Sequence, residues 1–310
     1  MTVTSIVMGL TLFGLWLPGC LVLAQAPPSK PTDKRAEGAE AARQLGWLND
    51  ARLIDLTHPF DEQTIYWPTE SGFRLQKGPA GKTPKGYFYA ANRFASAEHG
   101  GTHLDAPFHF NAAGRTVDEV PLKQLVGEAV VVDVSAECAD DADYEIGVAD
   151  LRRWEEEHRR QLVDVILLLR TGFGRRWPKR KEYLGTDETG PEAVAKLHFP
   201  GLSPQAAQWL VEHRLVKAVG IDTASIDHGQ STHFGSHVKL FEHNVPVFEN
   251  VAGLEQLPDV GFAVVALPMN IAGGTGAPLR IVAILPPQTP SIERHPEQKQ
   301  EPKRDRQRRK

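Results

Sequence analysis

Cysteine is almost absent from this sequence. Of its 310 residues, only Cys20 and Cys138 carry a thiol. A disulfide framework is therefore excluded, and so is a zinc site built from several thiolates.

Charged side chains are missing from residues 1–26. This segment contains the apolar run SIVMGLTLFGLWLPGCLVLA and ends at Ala24-Gln25-Ala26, a small-residue cleavage pattern. We predict a signal peptide over residues 1–26 and an exported protein, periplasmic or extracellular, although no Lys or Arg precedes the apolar run. Two alternatives stay open, namely lipidation at Cys20 within Leu17-Pro18-Gly19-Cys20, and a retained membrane anchor.

An excess of positive charge is also missing, since the formal net charge is −4. The basic residues concentrate at the C-terminal end, where residues 291–310 hold eight Lys or Arg and four Asp or Glu. The acidic remainder argues against nucleic-acid binding, and an end so poor in apolar residues is typical of disorder. We predict a linker or short helix over 27–46, one domain over 47–288 and a disordered basic tail over 289–310.

Strand-like and helical patterns alternate through the domain, without a long-period repeat. Short apolar runs such as EAVVVDVS at 128–135 and VDVILLLR at 163–170 are typical of strands buried on both faces. Further strands are predicted at 52–58, 217–222, 261–268 and 279–286, and helices at 147–162 and 202–215. The pattern predicts an α/β domain with a mixed sheet rather than a regular doubly wound one. The glycine-rich AGGTGAP at 272–278 lacks the ending of a phosphate loop and is interpreted as a turn between two strands.

Histidines concentrate in the stretch HGGTHLDAPFHF, residues 99–110. His99 and His103 have the four-residue spacing of a helical metal motif, but the two glycines and the proline of this stretch disfavour a helix. An extended chain after a glycine turn would place His103, Asp105 and His109 on one side, because side chains along a strand alternate. His99 would fold back towards them.

Two interpretations of this cluster follow from its chemistry. Burying several ionisable groups without a partner is costly, and a divalent cation removes that cost. Imidazole and carboxylate ligands without thiolate suit Zn²⁺, Mn²⁺ or Fe²⁺. The alternative is a cluster of histidines that are satisfied by ordinary hydrogen bonds.

A second group of metal-ligand residue types lies in residues 222–251. Spacing alone does not choose among its members, which are His228, His233, His237, Glu242, His243 and Glu249.

The stretch HGGTHLDAPFH resembles, position for position, the H-x-G-T-H-x-D-x-P-x-H signature of the cyclase family of metal-dependent hydrolases. That family includes bacterial kynurenine formamidase and isatin hydrolase. The likeness extends through LIDLTHPF near residue 53, ILLLRTGF at 166–173, VGIDTASIDH at 219–228 and LPMNIAGGTGAPLRIVAILP at 267–286. It covers roughly residues 50–287 and leaves out both ends of the chain.

This resemblance assigns roles to particular residues. It implies that His109 is the catalytic histidine and that Asp105 is able to bridge two metals. The family's downstream ligands are a His and a Glu twelve positions apart, which selects two residues from the second group. The metal ligands implied in this way are His99, His103, Asp105, His237 and Glu249.

The resemblance also implies a fold and a cofactor. The fold is the swivelling β/β/α type, a layered α/β domain with a mixed sheet. The cofactor is one or two divalent ions per subunit, with zinc as the first choice and manganese as the second. Relatives are usually homo-oligomers.

The function predicted on this basis is hydrolysis of an amide-like C–N bond by metal-activated water, with His109 as acid and base. The substrate would be a small molecule, either an aryl formamide such as N-formylkynurenine or a cyclic amide such as isatin. Trp67 and Phe73 are candidates for an aromatic wall against a planar substrate, although both also fit core packing. The alternatives are a lactone hydrolase and a secreted metal-binding protein without turnover.

Overall fold

A computed structural model of the protein describes residues 46–287. The predicted signal peptide, nearly all of the predicted linker and the predicted basic tail lie outside these residues. Within the described range, no helix is both long enough and apolar enough to cross a membrane.

The described chain alternates strands and helices. The strands are β1 Arg52–Asp55, β2 Arg74–Gln76, β3 Ala80–Lys82, β4 Phe88–Ala90, β5 Arg93–Ala95, β6 His103–Asp105, β7 Val126–Asp133, β8 Glu145–Ile146, β9 Ile166–Arg170, β10 Gly201–Leu202, β11 Ala218–Ile221, β12 Val247–Glu249, β13 Phe262–Pro268 and β14 Gly276–Leu285. The α-helices are α1 Trp47–Asp50, α2 Leu122–Leu125, α3 Ser135–Asp140, α4 Val148–His158, α5 Arg180–Leu184, α6 Pro191–Val194, α7 Pro204–His213 and α8 Gly235–Glu242.

The main sheet has eight strands in the order β1-β14-β13-β7-β9-β11-β12-β6. Pairing is parallel from β7 through β9 and β11 to β12, and antiparallel elsewhere, so the sheet is mixed. The sheet also closes on itself, because β6 pairs with the first residues of β14, where Gly276 lies opposite Asp105. Closure places the short strand β6 between β12 and β14, with main-chain partners on both sides.

The central strands are buried on both faces, as their continuous apolar sequences predict. On β9, Leu167 and Leu169 contribute to the core cluster that also contains Trp154 of α4 and Trp209 of α7. The alternate residues of the same strand contribute to a second cluster. The structure therefore has helices packed against a closed mixed sheet, which confirms the predicted layered α/β class.

Helix α7 illustrates how local sequence sets an element boundary. Ser203 lies just before it and its hydroxyl oxygen accepts a hydrogen bond from the backbone N–H of Ala206. Pro204 occupies the first helical position, where no backbone N–H is needed. The predicted cap is confirmed.

Two short antiparallel ribbons, β2 with β5 and β3 with β4, stand apart from the main sheet. Every residue of their four strands is exposed. Large apolar side chains on or beside these strands are therefore open to solvent, among them Leu75, Phe88 and Phe94.

Candidate metal centre

A glycine turn brings His99 back over strand β6. Gly100 and Gly101 have φ angles of 152° and 58°, in a region that side chains disfavour. The Nδ1 atom of His99 consequently lies 2.6 Å from Oδ1 of Asp105, and Nε2 of His103 lies 3.0 Å from the same oxygen. The predicted fold-back of His99 is confirmed.

His109 reaches the centre by a route that the alternation pattern did not predict. Strand β6 ends at Asp105, and Pro107–His109 form a short 3₁₀ helix rather than an extended chain. Proline suits the first position of such a turn because its fixed φ angle is already helical. The ring of His109 stacks on that of His99 with a centroid separation of 3.8 Å, so His109 lies beside the ligand atoms by a different geometry.

Helix α8 and strand β12 supply the second part of the centre. Nε2 of His237 lies 3.1 Å from Oδ2 of Asp105 and 3.1 Å from Oε1 of Glu249. Two groups of three residues have ligand atoms within 4.8 Å of one another, and Asp105 belongs to both. The structure thus brings together all five residues that were predicted as ligands, which are His99, His103, Asp105, His237 and Glu249.

Hydrogen bonds from the surrounding protein orient two of these imidazoles. Nδ1 of His103 lies 2.9 Å from the carbonyl oxygen of Gly101, which only accepts, so this nitrogen carries the proton. Nδ1 of His237 lies 2.7 Å from a carboxylate oxygen of Asp227 and donates to it in the same way. In both rings Nε2 is thus the nitrogen that faces the centre and is available to a metal ion, as in metal-bound histidines.

The electrostatics of the centre call for positive charge. Burial lowers the pKa of His103, but the carboxylates of Asp105 and Glu249 outweigh this and raise it to about 9. Burial also lowers the pKa of His237, and hydrogen bonds to Asp105, Asp227 and Glu249 raise it well above its ordinary value. Burial and then the charge of Asp105 raise the pKa of Glu249. The carboxylates of Asp105 and Glu249 therefore stabilise positive charge on the neighbouring imidazoles, and they would stabilise a bound cation in the same way.

A divalent cation fits these residues. Nε2 of His103 is buried and has no hydrogen-bond partner, although carboxylate oxygens of Asp105 and Glu249 lie 3.0 and 3.4 Å away. A buried nitrogen without a partner is costly, and a metal ion would satisfy it together with the facing oxygens. Imidazole nitrogen and carboxylate oxygen are donors that suit Zn²⁺, Mn²⁺ and Fe²⁺.

The remaining residues of the second group lie away from the centre. His228 has Glu145 as its carboxylate neighbour, with 4.0 Å between Nδ1 and Oε1. The side chains of His233, Glu242 and His243 are exposed. Of the group from 222–251, the two residues twelve positions apart are the ones that face Asp105.

A cavity of about 430 Å³ opens onto the centre. Aromatic side chains form much of the cavity wall, where Phe234 lies between Trp67 and Phe110. The ring centroids are 6.3 Å apart for Trp67 and Phe234, and 5.2 Å apart for Phe234 and Phe110. Phe110 in turn stacks on the ligand His237 at 4.7 Å.

The two aromatic residues predicted to face substrate have different positions. Trp67 lines the cavity. Phe73 does not, because its ring packs between Phe60 and Phe94, with centroid separations of 5.9 and 5.8 Å. The structure therefore replaces the predicted pair by Trp67, Phe234 and Phe110.

Sequence reasoning missed several residues that support the centre. Asp227 orients His237, and the side-chain amide of Asn250 donates to the carbonyl of Gly101 at 2.8 Å. Phe234 has a positive φ angle at the start of α8, three positions before His237. Only Phe110 had a usable signal, since it directly follows the catalytic candidate His109 in the histidine-rich stretch.

Comparison with known proteins gives a consistent result. The family model described as "Putative cyclase" matches residues 54–228. An isatin hydrolase of Roseibium aggregatum is 31% identical over 209 residues, which are 65% of this chain and 77% of that protein. A kynurenine formamidase of Bacillus cytotoxicus is 27% identical over 239 residues, which are 76% of this chain and 98% of that protein.

A solved structure shares the fold. Isatin hydrolase A from Labrenzia aggregata, bound to benzyl benzoate, superimposes with a TM-score of 0.69 at 30% sequence identity. The match covers 81% of this chain and 99% of that one.

Proposed function

Because this chain belongs to the cyclase family of metal-dependent hydrolases, we propose that its cavity takes an uncharged, planar aryl amide or cyclic amide. The protein is a metal-dependent hydrolase that acts on amide-like, non-peptide C–N bonds. The observation that carries the proposal is the convergence of five nitrogen and oxygen ligands at the base of an aromatic cavity. We propose that residues 99–110, together with His237 and Glu249, contain the metal ligands and the proton carrier of this reaction.

His103, Asp105, His237 and Glu249 would hold a divalent ion together with His99. Such an ion lowers the pKa of a water molecule and polarises the amide carbonyl. Its identity and number belong to the proposal: zinc before manganese, with Asp105 placed between two ligand groups that would suit a second ion. Metal analysis of the purified protein and reactivation of the chelated protein with each metal test this choice.

His109 is the proton carrier in this proposal. Burial by neighbouring protein lowers the pKa of His109, which leaves the imidazole neutral and able to accept a proton from water. The same group then donates that proton to the leaving nitrogen. Its ring stacks on His99 and is exposed towards the cavity, so it has access both to the centre and to substrate.

The charges around the cavity favour an uncharged substrate. Among the described residues that line it there is no Lys or Arg, whereas Glu70 and Glu98 both contribute. The carboxylate of Glu98 accepts hydrogen bonds from Thr275, so Glu70 is the acidic group left at the wall. A substrate carboxylate would have no Lys or Arg of the described lining to pair with and would be repelled by Glu70.

A matched pair of aryl formamides tests both parts of this proposal. Formanilide and 2-formamidobenzoate differ only by a carboxylate. We expect kcat/KM to be about tenfold higher for formanilide, the ratio that about 1.4 kcal/mol of repulsion produces, and higher NaCl to narrow the ratio. If the protein hydrolyses none of formanilide, 2-formamidobenzoate and isatin, amide hydrolysis is contradicted. Equal rates for the two formamides would contradict the charge preference alone.

Glu70 is the residue to change. Glu70→Gln should reduce the preference for formanilide, because it removes the repelling charge while keeping the side-chain size. Glu62→Gln is the matched control, since Glu62 is also exposed but does not line this cavity. An unchanged ratio in Glu70→Gln would show that another group sets the preference.

Self-association is part of the proposal. The exposed apolar side chains of the β2–β5 and β3–β4 ribbons, among them Phe88 at 72% exposure, support a homo-oligomer because isolated monomers rarely expose large apolar patches. Light scattering on the wild type and on Phe88→Ser tests it, and a monomeric wild type would contradict it.

Export is proposed from residues 1–26 alone, with cleavage after Ala26 and lipidation at Cys20 as the alternative. Mass spectrometry of the mature protein and cell fractionation distinguish these outcomes. An intact N-terminus in the cytoplasm would contradict export.

A further inference from the structure

The glycine-rich stretch AGGTG, residues 272–276, leads into β14 and contacts the metal centre. Its Thr275 hydroxyl lies 2.8 Å from Nε2 of His99, although the two residues are 176 positions apart in sequence. The same hydroxyl lies 2.6 Å from Oε2 of Glu98. The backbone N–H groups of Thr275 and Gly276 also donate to this oxygen, at 2.9 and 3.3 Å.

These contacts indicate the direction of each hydrogen bond. An ionised carboxylate only accepts, so the single hydroxyl proton of Thr275 is donated to Glu98. The hydroxyl oxygen must then accept from His99, which places the imidazole proton on Nε2. Nδ1 of His99 faces the Asp105 carboxylate at 2.6 Å. Because Thr275 accepts the proton of Nε2, Nδ1 is the nitrogen that would give up its proton to bind an ion.

Gly276 leaves the space that His99 occupies. A Cβ atom at this position would lie 2.5 Å from Cε1 and 2.8 Å from Nδ1 of the imidazole. Contacts this short do not occur, so any side chain at residue 276 would displace the ring. The stretch thus supplies both a hydrogen-bond partner and an opening for this ligand.

His99 needs such support more than the other imidazoles do. Its side chain is 22% exposed, whereas those of His103 and His237 are 3% and 4% exposed. Packing alone therefore holds His99 less firmly, and its ring borders the open cavity.

We propose that Thr275 and Glu98 are positioning residues for the metal: they fix the His99 ring in the orientation and tautomer that bind the ion, in the space left by Gly276. The hydrogen-bond chain from His99 through Thr275 to Glu98 is called the His99 relay below. The proposal rests on the metal centre of the proposed function. Outer partners of metal-bound histidines are worth about 10- to 100-fold in metal affinity.

The test measures metal affinity of the full-length protein, stripped with a chelator and titrated with Zn²⁺ against a chromophoric competitor. Thr275→Val removes the hydroxyl and keeps the shape, and we expect it to weaken binding by about 10- to 100-fold. Thr275→Ser restores a hydroxyl and should bind within about threefold of the wild type. Thr186→Val is the control, because Thr186 is at least as buried as Thr275 but lies outside the centre.

A spectrum and a melting curve separate positioning from general damage. In the Co²⁺-loaded protein, Thr275→Val should change the visible absorption bands, whereas Thr186→Val should leave them unchanged. The melting temperature of metal-free Thr275→Val should match that of Thr186→Val. Glu98→Gln, which keeps the side-chain length but removes the charge, should weaken binding less than Thr275→Val does.

The outcomes are distinct. A wild-type protein that binds no Zn²⁺ would overturn the metal centre itself. A wild type that binds while Thr275→Val binds equally tightly, or while Thr275→Ser is as weak as Thr275→Val, would overturn the His99 relay. Weakened binding with rescue by serine and a changed Co²⁺ spectrum supports it.

Discussion

The two parts of the metal centre are built in different ways. The turn half, His99 and His103, comes from a glycine turn and a three-residue strand, whereas the helix half, His237 and Glu249, comes from α8 and β12. Side chains of the helix half are at most 5% exposed, whereas His99 is 22% exposed and borders the cavity. Asp105 belongs to the ligand groups of both halves.

The two halves are also held in place in different ways. Buried charges that contact one another directly hold the helix half, with Asp227 behind His237. In the turn half, His99 depends on Thr275, which is 176 positions away in sequence, and its ring is the more exposed to the cavity.

The largest expected effect comes from removing the residue that the halves share. Asp105→Asn should lose metal from both ligand groups and lower kcat/KM by at least about 10³-fold, since Lewis-acid catalysis contributes several kcal/mol. Metal analysis and an aryl formamide assay measure this. Asp164→Asn is the control, because the Asp164 side chain is 81% exposed. An Asp105→Asn protein that keeps its metal would show that Asp105 is not required as a ligand.

Next in size is a difference in stability between the halves. His237→Ala removes the imidazole that pairs with Asp105, Asp227 and Glu249. Asp227 then loses its cationic partner and His103 alone faces both other carboxylates, which should cost about 3 kcal/mol. That corresponds to about 6–12 °C in the melting temperature of the metal-free protein. His99→Ala should lower it much less, because the ring is partly exposed. Equal losses in the two variants would remove the distinction between the halves.

A smaller effect on turnover is expected from changing His109, which belongs to neither half of the metal centre. His109→Ala should keep the metal, because His109 belongs to neither ligand group, and should lower kcat about 10²-fold or more by removing a proton carrier. His233→Ala, an exposed histidine of the same chain, is the control. Full turnover by metal-loaded His109→Ala would show that this ring carries no proton.

The smallest expected effect concerns His58 and the pH dependence of protein stability. Burial lowers the pKa of His58 to about 4, and its ring stacks on Trp177 at 4.2 Å. An unfolded chain takes up this proton near pH 6.5 and the folded protein only near pH 4, so the contribution of His58 is full above pH 6.5 and is lost as the pH falls towards 4. His58→Phe keeps the stacking and should make the decline in stability over this pH range shallower. Plots of unfolding free energy against pH that run parallel for the wild type and His58→Phe would contradict this role of His58.

Some of the site could be predicted because its determinants are local. Alternation in a strand placed His103 and Asp105 on one side, and the two glycines predicted the turn that returns His99. Apolar runs predicted β7 and β9 within a few residues. These features depend on neighbours in sequence, which is what a pattern records.

The rest depends on contacts between distant residues. Nothing local distinguishes His237 from His233, and only the family resemblance selected it. Thr275 was interpreted as part of a turn, and that turn does connect β13 to β14. Its contact with His99 arises from closure of the sheet, which no spacing along the chain reveals.

The closure of the sheet at β6 also has a consequence for folding kinetics. Strand β6 acquires its partners only when β12 and β14 arrive from far along the chain, and His237 contacts Asp105 across 132 residues. Contacts of such long range form late and slow the folding of a domain. The metal site therefore comes into existence only when most of the chain is already in place, so added metal should slow unfolding without accelerating refolding.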